Sequence, residues 1–212
     1  NIVEIKKKGQ VMEIFFNLRK SAEIIKNGGV VIFPTETVYG IGANGLDEGA
    51  IKKLYEIKKR SLDKPISLLV SDFEMIEKVA QDITEIEYKI MKEFFPGPLT
   101  IVLNKKNIVP DILTNNTNTV GIRMPEGDFA RNLVKKAGVP IATTSANISG
   151  MPSGTNFETI KKEFANKVDY IVDGGESKIG VPSTVVRVVD GKIKILREGS
   201  ISKKQILEKI SL

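Results

Sequence analysis

The sequence predicts a single α/β domain, a twisted sheet of mixed parallel and antiparallel strands flanked by helices. Three observations lead there. Short apolar strand-like runs alternate with amphipathic helical patterns through almost all of the 212 residues. That alternation calls for parallel crossovers, whereas Asp190-Gly191 between two strand-like runs signals an antiparallel hairpin. No repeat, low-complexity stretch or obvious linker divides the chain, so one domain over 1–212 is expected, with its core at about 20–200.

The opening, Asn1-Ile-Val-Glu-Ile followed by three lysines, reads as strand-like and then basic. Val11, Ile14, Phe15, Leu18, Ala22 and Ile25 recur at spacings of three and four and mark one amphipathic helix, stopped by Asn27-Gly28-Gly29. Val30 to Phe33 is a short buried strand. Asp47 caps a helix carrying Ile51, Leu54, Tyr55 and Ile57. Ile66 to Val70 is the next strand. A helix with Ile83, Ile86, Ile90 and Phe94 follows the capping pattern Asp82-x-x-Glu85. Further strands are expected at Leu99–Leu103, Val120–Arg123, Val139–Thr143, Tyr170–Val172, Val185–Val189 and Ile193–Leu196. Thr155-x-x-Glu158 and Ser202-x-x-Gln205 open two more helices. The long polar connections Asn104–Asn118 and Gly174–Pro182 are candidate mobile lids over a site.

Composition narrows the chemistry. The 41% hydrophobic and 27% charged content suffices for a core without staples. Absence of Cys excludes disulfides, thiol nucleophiles and thiolate metal sites; absence of His excludes the Ser-His-Asp triad and the usual zinc sites. An enzyme built from this chain works with hydroxyls, Lys, Arg, carboxylates, backbone amides and Mg²⁺. The net charge of +6 favours polyanionic ligands. The Lys pairs are scattered, however, and most read as solvated helix faces. No run of about 18 apolar residues and no apolar leader pattern appears, which points to a cytoplasmic protein without a membrane partner.

In open α/β sheets ligands gather where strands end and loops begin. Pro34-Thr35-Glu36-Thr37-Val38-Tyr39-Gly40-Ile41-Gly42 directly follows a strand, and its small residues permit close approach, although an ordinary turn explains it as well. Lys58-Lys59-Arg60 stands at a helix end, where the dipole favours cations and where Lys and Arg also suit phosphates. Arg123 lies in an apolar strand and needs a partner; a ligand carboxylate and an internal Asp or Glu are equally good candidates. Thr143-Thr144-Ser145-Ala146-Asn147-Ile148-Ser149-Gly150 concentrates neutral donors at another strand end. No P-loop and no dinucleotide-binding glycine pattern is present.

Taken together and in this order, the Pro34–Gly42 segment, Lys58-x-Arg60, Pro96-Gly97-Pro98-Leu99-Thr100, Gly121-x-Arg123-x-Pro125, Ser145-Ala146-Asn147-x-Ser149-Gly150 and Ser183-Thr184-Val185-Val186 closely resemble the YrdC-like family of L-threonylcarbamoyladenylate synthases. The resemblance covers roughly Ala22 to Ser200 and suggests a short, single-domain form. It implies that ATP, L-threonine and bicarbonate give threonylcarbamoyl-AMP and pyrophosphate. A separate threonylcarbamoyl-transferase complex then modifies adenosine 37 of tRNAs that read codons beginning with A. It implies Mg²⁺ accompanying ATP, no tightly bound organic cofactor and no metal site built from protein side chains. Lys58 and Arg60 take the phosphate-gripping, catalytic roles; Thr119, Ser145, Asn147 and Arg197 join them around ATP. Thr35, Arg123 and Ser183 match positions around threonine, and Thr143 falls beside both ligands. Three positions depart from common family patterns: Ser61 where Pro often stands, Leu69 where long forms carry His, and Pro182 where Glu is common. The alternative expectation is a non-catalytic protein of the same fold that binds RNA or nucleotides. Only 13 aromatic residues, without regular spacing, argue against a base-stacking platform.

Overall fold

The computed structural model describes residues 2–210. The order is α1 (Ile2–Lys26), β1 (Val31–Phe33), β2 (Gly40–Asn44), α2 (Glu48–Lys58), β3 (Ser67–Leu69), α3 (Phe73–Val79), β4 (Ala80–Gln81), α4 (Glu85–Phe94) and β5 (Leu99–Lys105). After a 3₁₀ turn at Asp111–Thr114 come β6 (Thr119–Arg123), α5 (Asp128–Ala137), β7 (Ile141–Ser145), α6 (Phe157–Phe164), β8 (Tyr170–Ile171), β9 (Thr184–Val189), β10 (Lys192–Arg197) and α7 (Lys203–Ile210).

The strands join in one sheet, ordered β10-β9-β5-β6-β3-β7-β2-β1-β8, with β4 paired to β5 off this path. Pairs β1–β8, β3–β6 and β5–β9 are parallel; β1–β2, β2–β7, β3–β7, β5–β6 and β9–β10 are antiparallel. The mixed sheet is thus the expected one. In the hairpin turn Asp190 and Gly191 both have positive φ, 52° and 70°, as a type I′ turn requires.

The central strands alternate, and the two faces differ in kind. Leu99, Ile101, Leu103, Val120, Ile122, Leu68 and Val186 are buried in the core. Thr100, Val102, Thr119, Gly121, Arg123, Ser67 and Val185, on the other phase, line a cavity. Small side chains on that second face leave the sheet open to a ligand. Gly121 is part of the reason, since a Cβ there would stand 2.6 Å from Ser67 Oγ.

Several local expectations are corrected. The chain start is helical from Ile2, not strand-like, because a helix already nucleated downstream gains one hydrogen bond for each residue added; Asn1 lies outside the described residues. Within α1, Leu18, Ala22 and Ile25 are buried, but Val11, Ile14 and Phe15 are at least half exposed. The N-cap of α4 is Thr84, in a reciprocal capping box with Glu87, while Asp82 sits at φ 52° before it. Asn156, not Thr155, caps α6 by accepting from Thr159 N. Asp47 caps α2, and Ser202 with Gln205 forms the reciprocal pair before α7, both as expected. Of the two anticipated lids, Asn104–Asn118 folds into the 3₁₀ turn and buries Val109 and Leu113, so it mainly fills core. The segment Gly174–Pro182 is fastened by Tyr39 Oη to Gly175 O (2.9 Å), Ile179 N to Glu36 O (2.9 Å) and Gly180 N to Thr37 O (2.8 Å).

Candidate active site

A cavity of about 410 Å³ opens over the small-residue face of the sheet. Its wall includes Thr35, Arg60, Thr119, Arg123, Thr143, Ser145, Ser183 and Arg197, so eight of the ten anticipated site residues converge there. Arg187, which no sequence pattern singled out, is a fourth arginine in the wall, and among the described residues no Asp or Glu lines it. Glu36 offsets the charge of Arg123, and the remaining three arginines leave the wall with an excess of positive charge suited to an anion.

Lys58 and Asn147 lie behind the wall. Lys58 ends α2, and Lys59 takes the left-handed conformation at φ 51°, its N–H bonding Glu56 O and Tyr55 O. That turn separates the cations: Arg60 reaches the cavity, whereas Lys58 is 1% exposed. Lys58 Nζ donates to Ser145 O, to Asn147 O (2.7 Å) and to Asn147 Oδ1 (3.4 Å). Asn147 is itself saturated, accepting from Ser145 Oγ and donating to Ile148 O (3.0 Å) and Met151 O (2.7 Å). Burial, with Arg60 adding repulsion and Glu163 opposing, lowers the Lys58 ammonium from 10.5 to about 8.

Arg60 donates to Lys64 O (3.0 Å) and Pro65 O (2.9 Å), which fixes its fork at the start of β3. Arg197 donates to Ser183 O (2.8 Å) and Ser183 Oγ (3.3 Å), and Ser183 Oγ shares a hydrogen with Thr100 Oγ1 at 2.8 Å. Burial first, then repulsion from Arg123 and Arg60, holds the Arg197 guanidinium below its ordinary value. A phosphate placed among these groups relieves that repulsion. The backbone here is tight: a Cβ on Gly199 would stand 2.3 Å from Pro182 O and 2.6 Å from Ser183 C. Gly199→Ala is therefore expected to destabilise the fold by about 1–3 kcal/mol, read as a lower denaturant midpoint, and to weaken ligand binding at Ser183. An unchanged midpoint would show that the Pro182–Ser183 backbone yields freely.

The partner of Arg123 is internal. Its Nη2 pairs with Glu36 Oε1, Nη1 donates to Thr37 Oγ1 (2.9 Å) and Nε to Gly97 O (3.3 Å). Three of the five N–H donors are used, which leaves two for a ligand. Glu36 also accepts from Glu126 N (3.3 Å) and Gly127 N (3.4 Å). The Thr35 hydroxyl donates to Val38 O at 2.6 Å and is within 3.0 Å of Thr37 Oγ1, closing a tight turn at the cavity edge. Leu69, at the position where a His was noted as common, lines the cavity without a polar contact.

Fold and wall together define an α/β protein with an arginine-lined cavity on an open sheet face. A family model described as Telomere recombination, Sua5_yciO_yrdC, matches residues 23–199, and the chain belongs to that family. The threonylcarbamoyl-AMP synthase of Pyrococcus abyssi is 43% identical over 191 residues, covering 90% of this chain and 56% of the relative. A putative threonylcarbamoyl-AMP synthase of Methanocaldococcus jannaschii is 46% identical over 177 residues, covering 84% of this chain and 83% of the relative. The solved structure of P. abyssi Sua5 complexed with L-threonine superposes with a TM-score of 0.89 at 42% identity, over 92% of this chain and 57% of that one. The chain thus spans little more than half the length of the P. abyssi relative. Among the described residues no helix is long and apolar enough to cross a membrane.

Proposed function

We propose that this chain makes threonylcarbamoyl-AMP from ATP, L-threonine and bicarbonate and releases pyrophosphate. The observation that carries the reading is the cavity wall, where Arg60 and Arg197 stand among Ser and Thr hydroxyls with only carbonyl and hydroxyl partners, and Arg123, paired with Glu36, keeps two donors free. The names of the relatives and the threonine held by P. abyssi Sua5 support the same substrates.

The amine of threonine adds to the carbon of bicarbonate, a C–N bond replacing a C–O bond as water leaves, and the resulting N-carboxythreonine attacks the α-phosphorus of ATP through its new carboxylate oxygen. The new O–P bond replaces the α–β phosphoanhydride bond, and the electron pair leaves with pyrophosphate. No side chain has to transfer a proton in that step, which suits a chain without His or Cys. The protein supplies orientation and charge. Arg60 and Arg197 bind phosphoryl oxygens, Thr119 donates its hydroxyl hydrogen, Ser145, whose own hydrogen goes to Asn147 Oδ1, stands beside them, and the two free donors of Arg123 take the threonine carboxylate beside Thr35, Thr143 and Ser183. Mg²⁺, where it accompanies ATP, would be carried by the phosphates and would offset their charge there. The product then passes to a transferase complex acting on tRNA.

Pyrophosphate release measured with ATP, bicarbonate and each amino acid in turn tests the reading. Release is expected with threonine and bicarbonate together and with neither alone. Arg60→Ala is expected to reduce it by about 10²–10³-fold. Release independent of threonine, or an Arg60→Ala variant with unchanged turnover, would overturn the assignment.

A further inference from the structure

We propose that Arg187 of β9 and Lys194 of β10 form a second anion subsite at the β9–β10 end of the cavity, which takes the outer phosphates of a nucleoside triphosphate and then the pyrophosphate. The proposal rests on the nucleotide reading of the cavity and deepens it.

Arg187 is exposed and lines the cavity, while its neighbour Val186 is buried in the core, so the guanidinium stands on the ligand face of the sheet. Lys194 is its direct partner in the antiparallel β9–β10 ladder. Directly opposed residues share a face, so two cations meet there, an arrangement that disfavours the empty hairpin. The other wall arginines all donate to protein acceptors: Arg60 to Lys64 and Pro65, Arg123 to Glu36, Arg197 to Ser183. Among the described residues no side-chain hydrogen bond or ion pair is formed by Arg187 or Lys194. Their full set of donors awaits an anion.

Position decides which anion. Arg197 pairs with Val185, and a β-bulge between Ile195 and Arg197 turns both Leu196 and Arg197 toward the cavity. From Val185 to Arg187 is one two-residue step, about 7 Å. A triphosphate held at its inner phosphate by Arg197 spans that step and reaches Arg187 and Lys194 with its outer phosphates. Arg contributes a planar fork for two phosphoryl oxygens and Lys a compact charge. As the α–β bond breaks, negative charge grows on the departing pyrophosphate, so these contacts strengthen in the transition state.

Calorimetric titration of the full chain with inorganic pyrophosphate, AMP and ATP tests this, using Arg187→Ala, Lys194→Ala, the double variant and Arg187→Lys. Affinity for pyrophosphate and ATP is expected to fall about tenfold or more in the double variant, with AMP affinity unchanged and Arg187→Lys intermediate. The thermal midpoint of the ligand-free double variant is expected to equal or exceed that of the wild type, because a repulsive pair has been removed. An equal loss of AMP affinity, no loss at all, a lowered ligand-free midpoint, or a wild type that does not bind pyrophosphate would each overturn the subsite. A wild type that binds pyrophosphate through these residues but binds no nucleotide would keep the subsite and defeat the proposed function.

Discussion

Replacing Lys58 with Met is expected to lower kcat/KM for ATP by about 100-fold or more while the thermal midpoint moves little. The ammonium is 1% exposed and joins Ser145 O, Asn147 O and Asn147 Oδ1, so it fixes the strand end that presents the Ser145 hydroxyl. Met fills the same volume but takes the ammonium from all three acceptors: Asn147 O loses its donor, while Ser145 O keeps Asn147 N and Asn147 Oδ1 keeps Ser145 Oγ. Removing a buried charge opposes that loss in stability, but nothing opposes it in the placement of Ser145. The pH dependence follows from the same group. Its pKa falls from 10.5 to about 8 in the folded protein, so kcat/KM for ATP should decline as pH rises through 8, when the ammonium gives up a donor and its charge. With the polyanion bound the proton is held more tightly, so the corresponding limb in kcat lies at higher pH. Stability runs in the opposite sense. Between pH 8 and 10.5 the unfolded chain binds more protons at this site, so the contribution of Lys58 to folding stability rises with pH across that window. A wild-type kcat/KM profile that is flat from 7 to 9, or a Lys58→Met variant within tenfold of wild type, would defeat this account.

Arg123→Leu is expected to cost about 3–5 kcal/mol, a fall of about 10 °C in the unfolding midpoint, and to abolish threonine-dependent pyrophosphate release. The change strands the Glu36 carboxylate, whose side chain is only 7% exposed, with two long backbone donors in place of its salt bridge. The double variant Glu36→Leu/Arg123→Leu removes both charges and should recover most of the midpoint without recovering activity. That split separates the structural half of Arg123, its pairing with Glu36, from the donors it keeps for a ligand. Failure of the double variant to regain stability would show that Glu36 is not the source of the penalty.

Much of this molecule was legible because its signals are local. The apolar runs Leu99–Leu103 and Val120–Arg123 marked both strands, and the structure then showed which of their residues face the core and which the cavity. Asp47 and the Ser202–Gln205 pair marked helix starts through bonds spanning three residues. Helix α5 was legible too, its Phe129, Ala130, Leu133, Val134 and Ala137 spacing closed by Gly138 at φ 71°, although it is not among the helices anticipated above. Strand β2 was not. Gly40-Ile41-Gly42-Ala43-Asn44 has poor strand propensity and exists because β1 and β7 pair with it on either side. Arg187 carried no signal either, standing in an ordinary apolar strand next to residues that bury.

The sequence by itself determined the mixed α/β class, most of the elements, the absence of histidine and thiol chemistry, and the inventory of cations and hydroxyls near strand ends. Each follows from composition or from patterns a few residues long. Only the tertiary structure decided what those cations do. It gave Arg123 to Glu36, 87 residues away, placed Lys58 beneath Ser145 and Asn147, and set Arg187 against Lys194 across a ladder. Whether a charge faces a ligand or a carbonyl depends on which distant segment desolvates it, and that is settled by strand register and by the cap at Lys59, not by spacing along the chain.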